Sequence, residues 1–427
     1  MKKVILNFLL LGGLMFAANL KTINISGLEI PVIYEQSSII PTGAVQLIFS
    51  GSGSAYNGEF QGLAYLASLL LNEGTKELGG LKFASLLEQK AISLQVSSSQ
   101  EFLEFDLSFL KDQEEEALKL LSMLLASPNL SQDALSKVKE KAIASLLSKE
   151  SNFDYLASVG LSQILFKDTP LQFPLRGNLS SIQDISLKEI QTYLTSSLSL
   201  SRLNIVLGGD INIDATLSKL AEFLSKLPVG EKAEFKAYGA NGDSQTKIQY
   251  KPTEQAYVYF GSPFKFKNYK EEAYKVKVAS FILGASGFGS RMMEEIRVKN
   301  GLAYSAYMRI NLSKLATYAS GHLQTKIANQ NQSIELVKKV LKDFVKNGVT
   351  EEELEGAKKF LLGSEPLRNE TLSQRLALAF NCFYLGLDLD YPKEELQMIE
   401  KLSLKELNDF IKSHQEILEL SFSIVTK

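Results

Sequence analysis

The 427-residue chain is 45% apolar and 22% charged, with 46 basic side chains against 48 acidic ones. That balance excludes a disordered, collagen-like or disulfide-stapled chain, and a formal charge of −2 leaves no electrostatic footprint for nucleic acid. The single Cys382 permits no intramolecular disulfide, and only two histidines, His322 and His414, are available for metal or triad chemistry. At ~100–200 residues per domain, two or three domains are expected, each able to bury its own core.

Residues 1–18 read as a cleavable secretory signal. Lys2 and Lys3 precede an apolar run from Val4 to Phe16, and Ala17-Ala18 supplies small residues for cleavage. The run falls short of the ~20 residues that a spanning helix needs. No cysteine follows the cleavage region, so no lipid anchor is expected there. The mature chain should begin near Asn19 and lie in the periplasm without a membrane anchor.

Asn24 to Ile33 and Gly43 to Phe49 alternate apolar and polar residues and read as strands. Leu63 to Leu71 and Leu81 to Gln89 read as helices, and Ile92-Leu94-Val96 and Phe102 to Phe109 as strands. A helix from Glu115 to Leu125 stops at Ser127-Pro128-Asn129. Ser131 caps the next, whose residues Leu135, Val138, Ala142 and Leu146 keep helical spacing. Leu203 to Gly208 closes this half as a strand. The polar, glycine-bearing stretch from Pro228 to Lys247 marks a linker, set at 231–247 between halves 19–230 and 248–427.

The same order then restarts. Tyr257 to Phe260 reads as a strand, Ala273 to Leu283 and Ser290 to Val298 as helices, and Leu302 to Ile310 as a strand. Ser333 opens a helix stopped at Asn347-Gly348, and Thr350 with Glu353 forms a capping box for the next. The capped helices at Ser131 and Thr350 are 350 − 131 = 219 residues apart. The expected fold is therefore α+β: two homologous repeats, each a largely antiparallel sheet with helices on one face, enclosing a cleft.

Chemistry-bearing motifs are sparse. The histidines lie far apart in sequence, outside any paired motif. Gly51-Ser52-Gly53-Ser54 and Gly284-Ala285-Ser286-Gly287-Phe288-Gly289 have neither nucleophile-elbow spacing nor a phosphate-loop lysine, and read as turns. The acidic runs Glu114–Glu116 and Glu351–Glu353 sit in first helical turns, where they complement the dipole.

The most informative text is SRMMEEIRVKNGLAYSAY from Ser290, with GEFQGLAYLASLLLNEGT in the first half and LNIVLGGDI closing it. This text resembles the pitrilysin/insulinase superfamily of metallopeptidases, in its short bacterial, processing-peptidase-like branch, over essentially the whole mature chain. In active members the first-half helix carries an inverted zinc motif, His-x-x-Glu-His, with a more distant Glu as third ligand. The matching positions here are Tyr65, Ser68 and Leu69, with Ser145 for the distant Glu, and neither Ala144 nor Leu146 beside it is a carboxylate. Ligands and base are all absent, so no metal is expected on this chain. Arg297 and Tyr304 match the pair that the family sets against the substrate backbone and the scissile carbonyl. A Tyr hydroxyl can donate to a developing oxyanion, and an Arg can hold a peptide carbonyl.

The resemblance thus implies a non-catalytic subunit that lends Arg297 and Tyr304 in trans to a homologous partner, with zinc in that partner and an extended peptide as substrate. Ile92, Leu94 and Val96 would mark the edge strand that pairs with peptide. The rival reading is a peptide-binding or scaffold protein with no role in proteolysis. An independent hydrolase has no motif behind it.

Overall fold

The computed structural model describes residues 18–427; apart from Ala18, the expected leader lies outside the described residues. Strands β1 (Asn19–Ile25), β2 (Leu28–Gln36), β3 (Thr42–Ser50), β4 (Ser93–Ser98), β5 (Phe102–Leu110) and β6 (Leu203–Gly209) form one sheet, ordered β1-β2-β6-β3-β5-β4. Strands β7 (Thr246–Tyr250), β8 (Gln255–Pro263), β9 (Ala303–Leu312), β10 (Thr317–Lys326) and β11 (Ser421–Thr426) form a second, ordered β7-β11-β8-β10-β9. Without β1 the two orders coincide. Each has one parallel pair, β2 with β6 and β7 with β11, and is otherwise antiparallel.

Most elements follow their local signals. Leu63–Leu71 is a helix with seven buried residues, because its apolar side chains run all round rather than along one stripe. Ser131 accepts from the Ala134 N–H, and Thr350 and Glu353 complete a capping box. The stretch from Asn24 to Ile33 is not one strand but the hairpin of β1 and β2. Ser26 and Gly27, with φ of 51° and 85°, turn the chain there. The second-half helices also depart from regular spacing, since Tyr269–Ala273, Phe281–Ala285 and Glu294–Lys299 are π-helical turns.

The helices of each half cover one face of its own sheet, as expected. The opposite face is covered by a helix from the other half. Helix Leu372–Tyr384 brings Leu376, Ala379, Phe380 and Tyr384 onto Ile33, Ile48 and Val206 of the first sheet. Helix Phe153–Leu165 brings Leu161 and Leu165 into a cluster on the second sheet with Leu315, Ala316 and Tyr259. The two crossing helices start 372 − 153 = 219 residues apart, so they belong to the repeat. Each large apolar side chain so buried contributes roughly 1.5–3 kcal/mol.

Polar contacts fix the crossings. Arg375 forks onto Glu35, which is 1% exposed, with Nη2 to Oε1 at 2.7 Å and Nε to Oε1 at 3.0 Å. In the other crossing, Asp154 accepts from Gln324 at 2.5 Å and from the Tyr259 hydroxyl at 3.3 Å.

Glu104 and Asp106 share one face of β5, beside Ile48 and Gln46 of β3. Gln46 donates to Asp106 at 2.5 Å, whereas Glu104 has no hydrogen-bond or ion-pair partner among the described residues. Burial pushes the Glu104 carboxyl up to about 7, and the Asp106 charge acts in the same direction. A carboxyl raised from 4.5 keeps its proton in the folded state while the unfolded chain has released it, so its contribution to stability is lost as pH rises from 4.5 to 7. Glu104→Gln is therefore expected to stabilise the protein by roughly 2–3 kcal/mol at pH 8 and by little at pH 4. Urea unfolding of both proteins at the two pH values checks this; an equal gain at both would refute it.

Candidate functional site

The four positions matching the metal motif lie on two helices held together by charge. Glu73, just beyond helix Leu63–Leu71, takes Lys137 at 2.5 Å and Lys141 at 2.9 Å from helix Gln132–Lys149. Burial raises the Glu73 carboxyl, but the two ammonium groups outweigh it and hold the group below the usual carboxylate range. Lys137, Lys141 and Ser145 are spaced i, i+4, i+8, so this clamp turns Ser145 toward the motif helix.

What lies between Tyr65 and Ser145 is a guanidinium. Arg176 donates from Nη1 to the Ser145 hydroxyl at 3.2 Å, and its Cζ stands 5.4 Å from the centre of the Tyr65 ring. Ser68 is 3% exposed and spends its hydroxyl on the Tyr65 carbonyl at 2.8 Å. Leu69 packs against the core. Structure thus brings Tyr65 and Ser145 together around Arg176, while Ser68 and Leu69 are ordinary helix packing.

The strand expected to pair with peptide carries the three named side chains on its inner face. Ile92, Leu94 and Val96 are 4–6% exposed and point into the first core, so none can touch a peptide with its side chain. Strand alternation puts Ser93, Gln95 and Ser97 on the exposed face and leaves the main-chain groups of the β4 edge to pair with a peptide. There the Asn72 side chain already serves Val96, accepting from its N–H at 2.9 Å and donating to its C=O at 2.7 Å. One amide satisfies the pair of groups that an added strand would use.

In the second half, Gly284 stands where Asn72 stands in the first. A Cβ on Gly284 would meet the main chain of Met308, and 284 − 72 and 308 − 96 both give 212. At that edge Ser280 accepts from the Ile310 N–H at 3.1 Å. β4 and β9 are therefore both partly capped from within.

Arg297 and Tyr304 flank the turn from the π-helical stretch into β9. Gly301, with φ of 61°, lets its own N–H reach the Arg297 carbonyl at 2.9 Å while the Leu302 N–H reaches Ile296 at 2.9 Å. Tyr304 is 84% exposed, and its hydroxyl has no partner among the described residues. The Arg297 guanidinium has neither hydrogen bond nor ion pair among them and lies 4.7 Å from the centre of the Phe288 ring. Phe288, itself 69% exposed, stands between Gly287 and Gly289, whose φ values of 71° and 83° are left-handed.

Beside this turn, a cavity of about 560 Å³ lies between helix Phe153–Leu165 and the second sheet, with Ser158 and Ser162 on one side and Tyr259, Tyr307, Arg309 and His322 on the other. His322 stacks on Tyr259 with centroids 5.2 Å apart. Burial lowers its pKa; the Asp154 charge opposes this and the Arg309 charge assists it. His414 is far from any such role: its Nδ1 is paired with Glu416 at 2.8 Å, and Phe264 stacks on the ring. No group of three or more His, Cys, Asp or Glu able to hold a metal occurs among the described residues. No helix among them is long and apolar enough to cross a membrane.

Two matched α+β repeats with an eroded metal motif in the first and an Arg/Tyr turn in the second define a peptidase-type fold without its metal ligands. Residues 32–178 match the insulinase (peptidase family M16) model, and residues 184–361 match the peptidase M16 inactive domain. A Helicobacter pylori protein named non-peptidase homolog YmxG is 51% identical over 428 residues, covering 100% of this chain and 99% of its own. An uncharacterized zinc protease YmxG of Bacillus subtilis is 22% identical over 81% of this chain and 84% of its own. The crystal structure of a peptidase M16 inactive domain from Pseudomonas fluorescens superposes with a TM-score of 0.86 at 23% identity, covering 96% of this chain and 98% of that one. The chain belongs to the M16 peptidase family, as a non-catalytic member.

Zinc does not fit the motif positions of this chain. Leucine has no donor atom, Tyr and Ser offer neutral hydroxyls where imidazoles and carboxylates are needed, and a fixed cation already bridges two of the positions. Arg176, Asn72 and Phe288 escaped the sequence reading. Phe288 alone had a local signal, an aromatic flanked by two glycines.

Proposed function

We propose that this protein is the non-catalytic subunit of a periplasmic heteromeric metallopeptidase, placing Arg297 and Tyr304 against peptide held at the zinc site of a homologous partner. The single observation that carries the reading is the contrast between the two halves. The metal positions are filled from within by Arg176 and core packing, whereas Arg297 and Tyr304 make no polar side-chain contact among the described residues. Polar side chains held at a turn without partners are available to a substrate and suited to charge that develops on a carbonyl oxygen.

The test is recovery of the tagged mature chain from its native periplasm, with metal analysis and peptidase assay of whatever accompanies it. A zinc-bearing homologue should come down, and chelator-sensitive cleavage should require both chains. The pure chain alone should hold no stoichiometric zinc by elemental analysis and cleave no peptide. Turnover by the partner that is indifferent to this chain would sink the proposal.

A further inference from the structure

The position left by the metal motif still carries positive charge, and that charge is not neutralised. Arg176 has five N–H donors, of which one is used, on Ser145. It lies on the Tyr65 ring and makes no ion pair among the described residues. Its charge also reaches Tyr155, where burial raises the phenol pKa and the Arg176 charge opposes the rise. Lys149, the last residue of the helix that carries Ser145, sits 4.5 Å from the centre of the Tyr155 ring, with no carboxylate of the described residues in ion-pair range. Arg176 thus joins Ser145 to the Tyr65 ring, and Lys149, one turn beyond Ser145 on the same helix face, stands over Tyr155, on elements fixed by the Glu73 clamp and the Asn152 cap.

The two arginines that hold elements of the fold together are treated differently. Arg291 and Arg375 are paired with Glu353 and Glu35. Arg176 is exposed and pins no second half, so a structural role does not account for its free donors. A guanidinium fork with free donors matches the two oxygens of a carboxylate in plane, and a neighbouring ammonium adds attraction without geometry. Tyr155 shares its helix face with Ser158 and Ser162, by i, i+3 and i+7 spacing, and those two residues line the cavity beneath the second sheet. The helix that carries Tyr155 thus runs from this cluster to the cavity.

We infer that the eroded metal site has become a carboxylate-binding site, in which Arg176, Lys149 and Ser145 take an acidic group of a bound peptide. The group is either the terminal carboxylate or an Asp or Glu side chain. The inference goes beyond the role proposed for Arg297 and Tyr304 and is independent of any partner, because it is read on the isolated chain.

The test uses the mature chain and one fluorescein-labelled, otherwise neutral decapeptide in three forms: C-terminal acid, C-terminal amide, and amide with one internal Glu. Fluorescence anisotropy should show at least one acidic form binding roughly tenfold tighter than the plain amide, the preference shrinking as salt is added. Which acidic form wins identifies the source of the carboxylate. Arg176→Gln should erase the preference, and Arg176→Lys should keep part of it. Lys346→Gln, which removes an exposed cation of the second half, should leave the preference intact, and because the readout needs no partner, failure here is distinct from failure of the trans-acting role. The Arg176 side-chain ¹⁵Nε resonance should shift on titration with the preferred peptide. Equal affinity for all three forms, no binding by any at millimolar concentration, or an unchanged preference in Arg176→Gln would overturn the inference.

Discussion

Tyr304→Phe is expected to lower the turnover of the reconstituted complex by about 10²–10³, or roughly 3–4 kcal/mol of transition-state stabilisation, with assembly unchanged. The hydroxyl is the only group removed, and Tyr304 is 84% exposed, so the fold has nothing to lose. Arg297→Ala should act differently. Its guanidinium rests on the Phe288 ring, a contact worth about 0.5–1 kcal/mol at an exposed site, and it can leave that ring for a peptide carbonyl at small cost. Loss of that hold should mainly raise KM, with a smaller fall in kcat. Kinetics at equal complex concentration separate the two effects. Full activity in the double variant, with assembly intact, would remove both residues from catalysis and leave a peptide-binding or scaffold role.

The parts of this protein that sequence exposes are those whose causes are local. Leu63–Leu71 announces a buried helix because apolar residues surround it, and Ser131 and Thr350 announce helix starts because a cap needs only its own first turn. The 219-residue offset between those caps was readable, and the same offset relates Phe153 to Leu372. What it did not reveal is that these two helices cross to the opposite sheets. Crossing is decided by packing between residues hundreds of positions apart, such as Phe380 on Ile48, and leaves no periodic mark.

The candidate site divides the same way. Absence of ligands at Tyr65, Ser68, Leu69 and Ser145 was legible once the motif was matched. The replacement of metal by Arg176 was not, because Arg176 comes from a loop 31 residues beyond Ser145. Leu94 and Val96 lie on the edge strand β4 with Ile92 just before it, and alternation turns all three side chains inward. The Asn72 cap on Val96 arises from the geometry of a helix end beside a strand, which neither segment shows alone.

Arg375→Ala is expected to destabilise the protein by about 3–5 kcal/mol, more than removal of any partnerless side chain would. All three guanidinium nitrogens are engaged: Nε and Nη2 serve Glu35, while Nη1 donates to the carbonyls of Asn369 at 3.1 Å and Glu370 at 2.9 Å. Removing it strands a carboxylate that is 1% exposed and frees two carbonyls at the start of the crossing helix. The pair itself need not be strongly stabilising, since taking both charges from water costs about as much as their attraction returns. Replacing both partners, as Glu35→Leu with Arg375→Leu, should therefore cost less than Arg375→Ala alone. Urea unfolding of the two variants checks that ordering. A double replacement as damaging as the single one would mean that the fork, rather than the relief of a stranded charge, ties helix Leu372–Tyr384 to the first sheet.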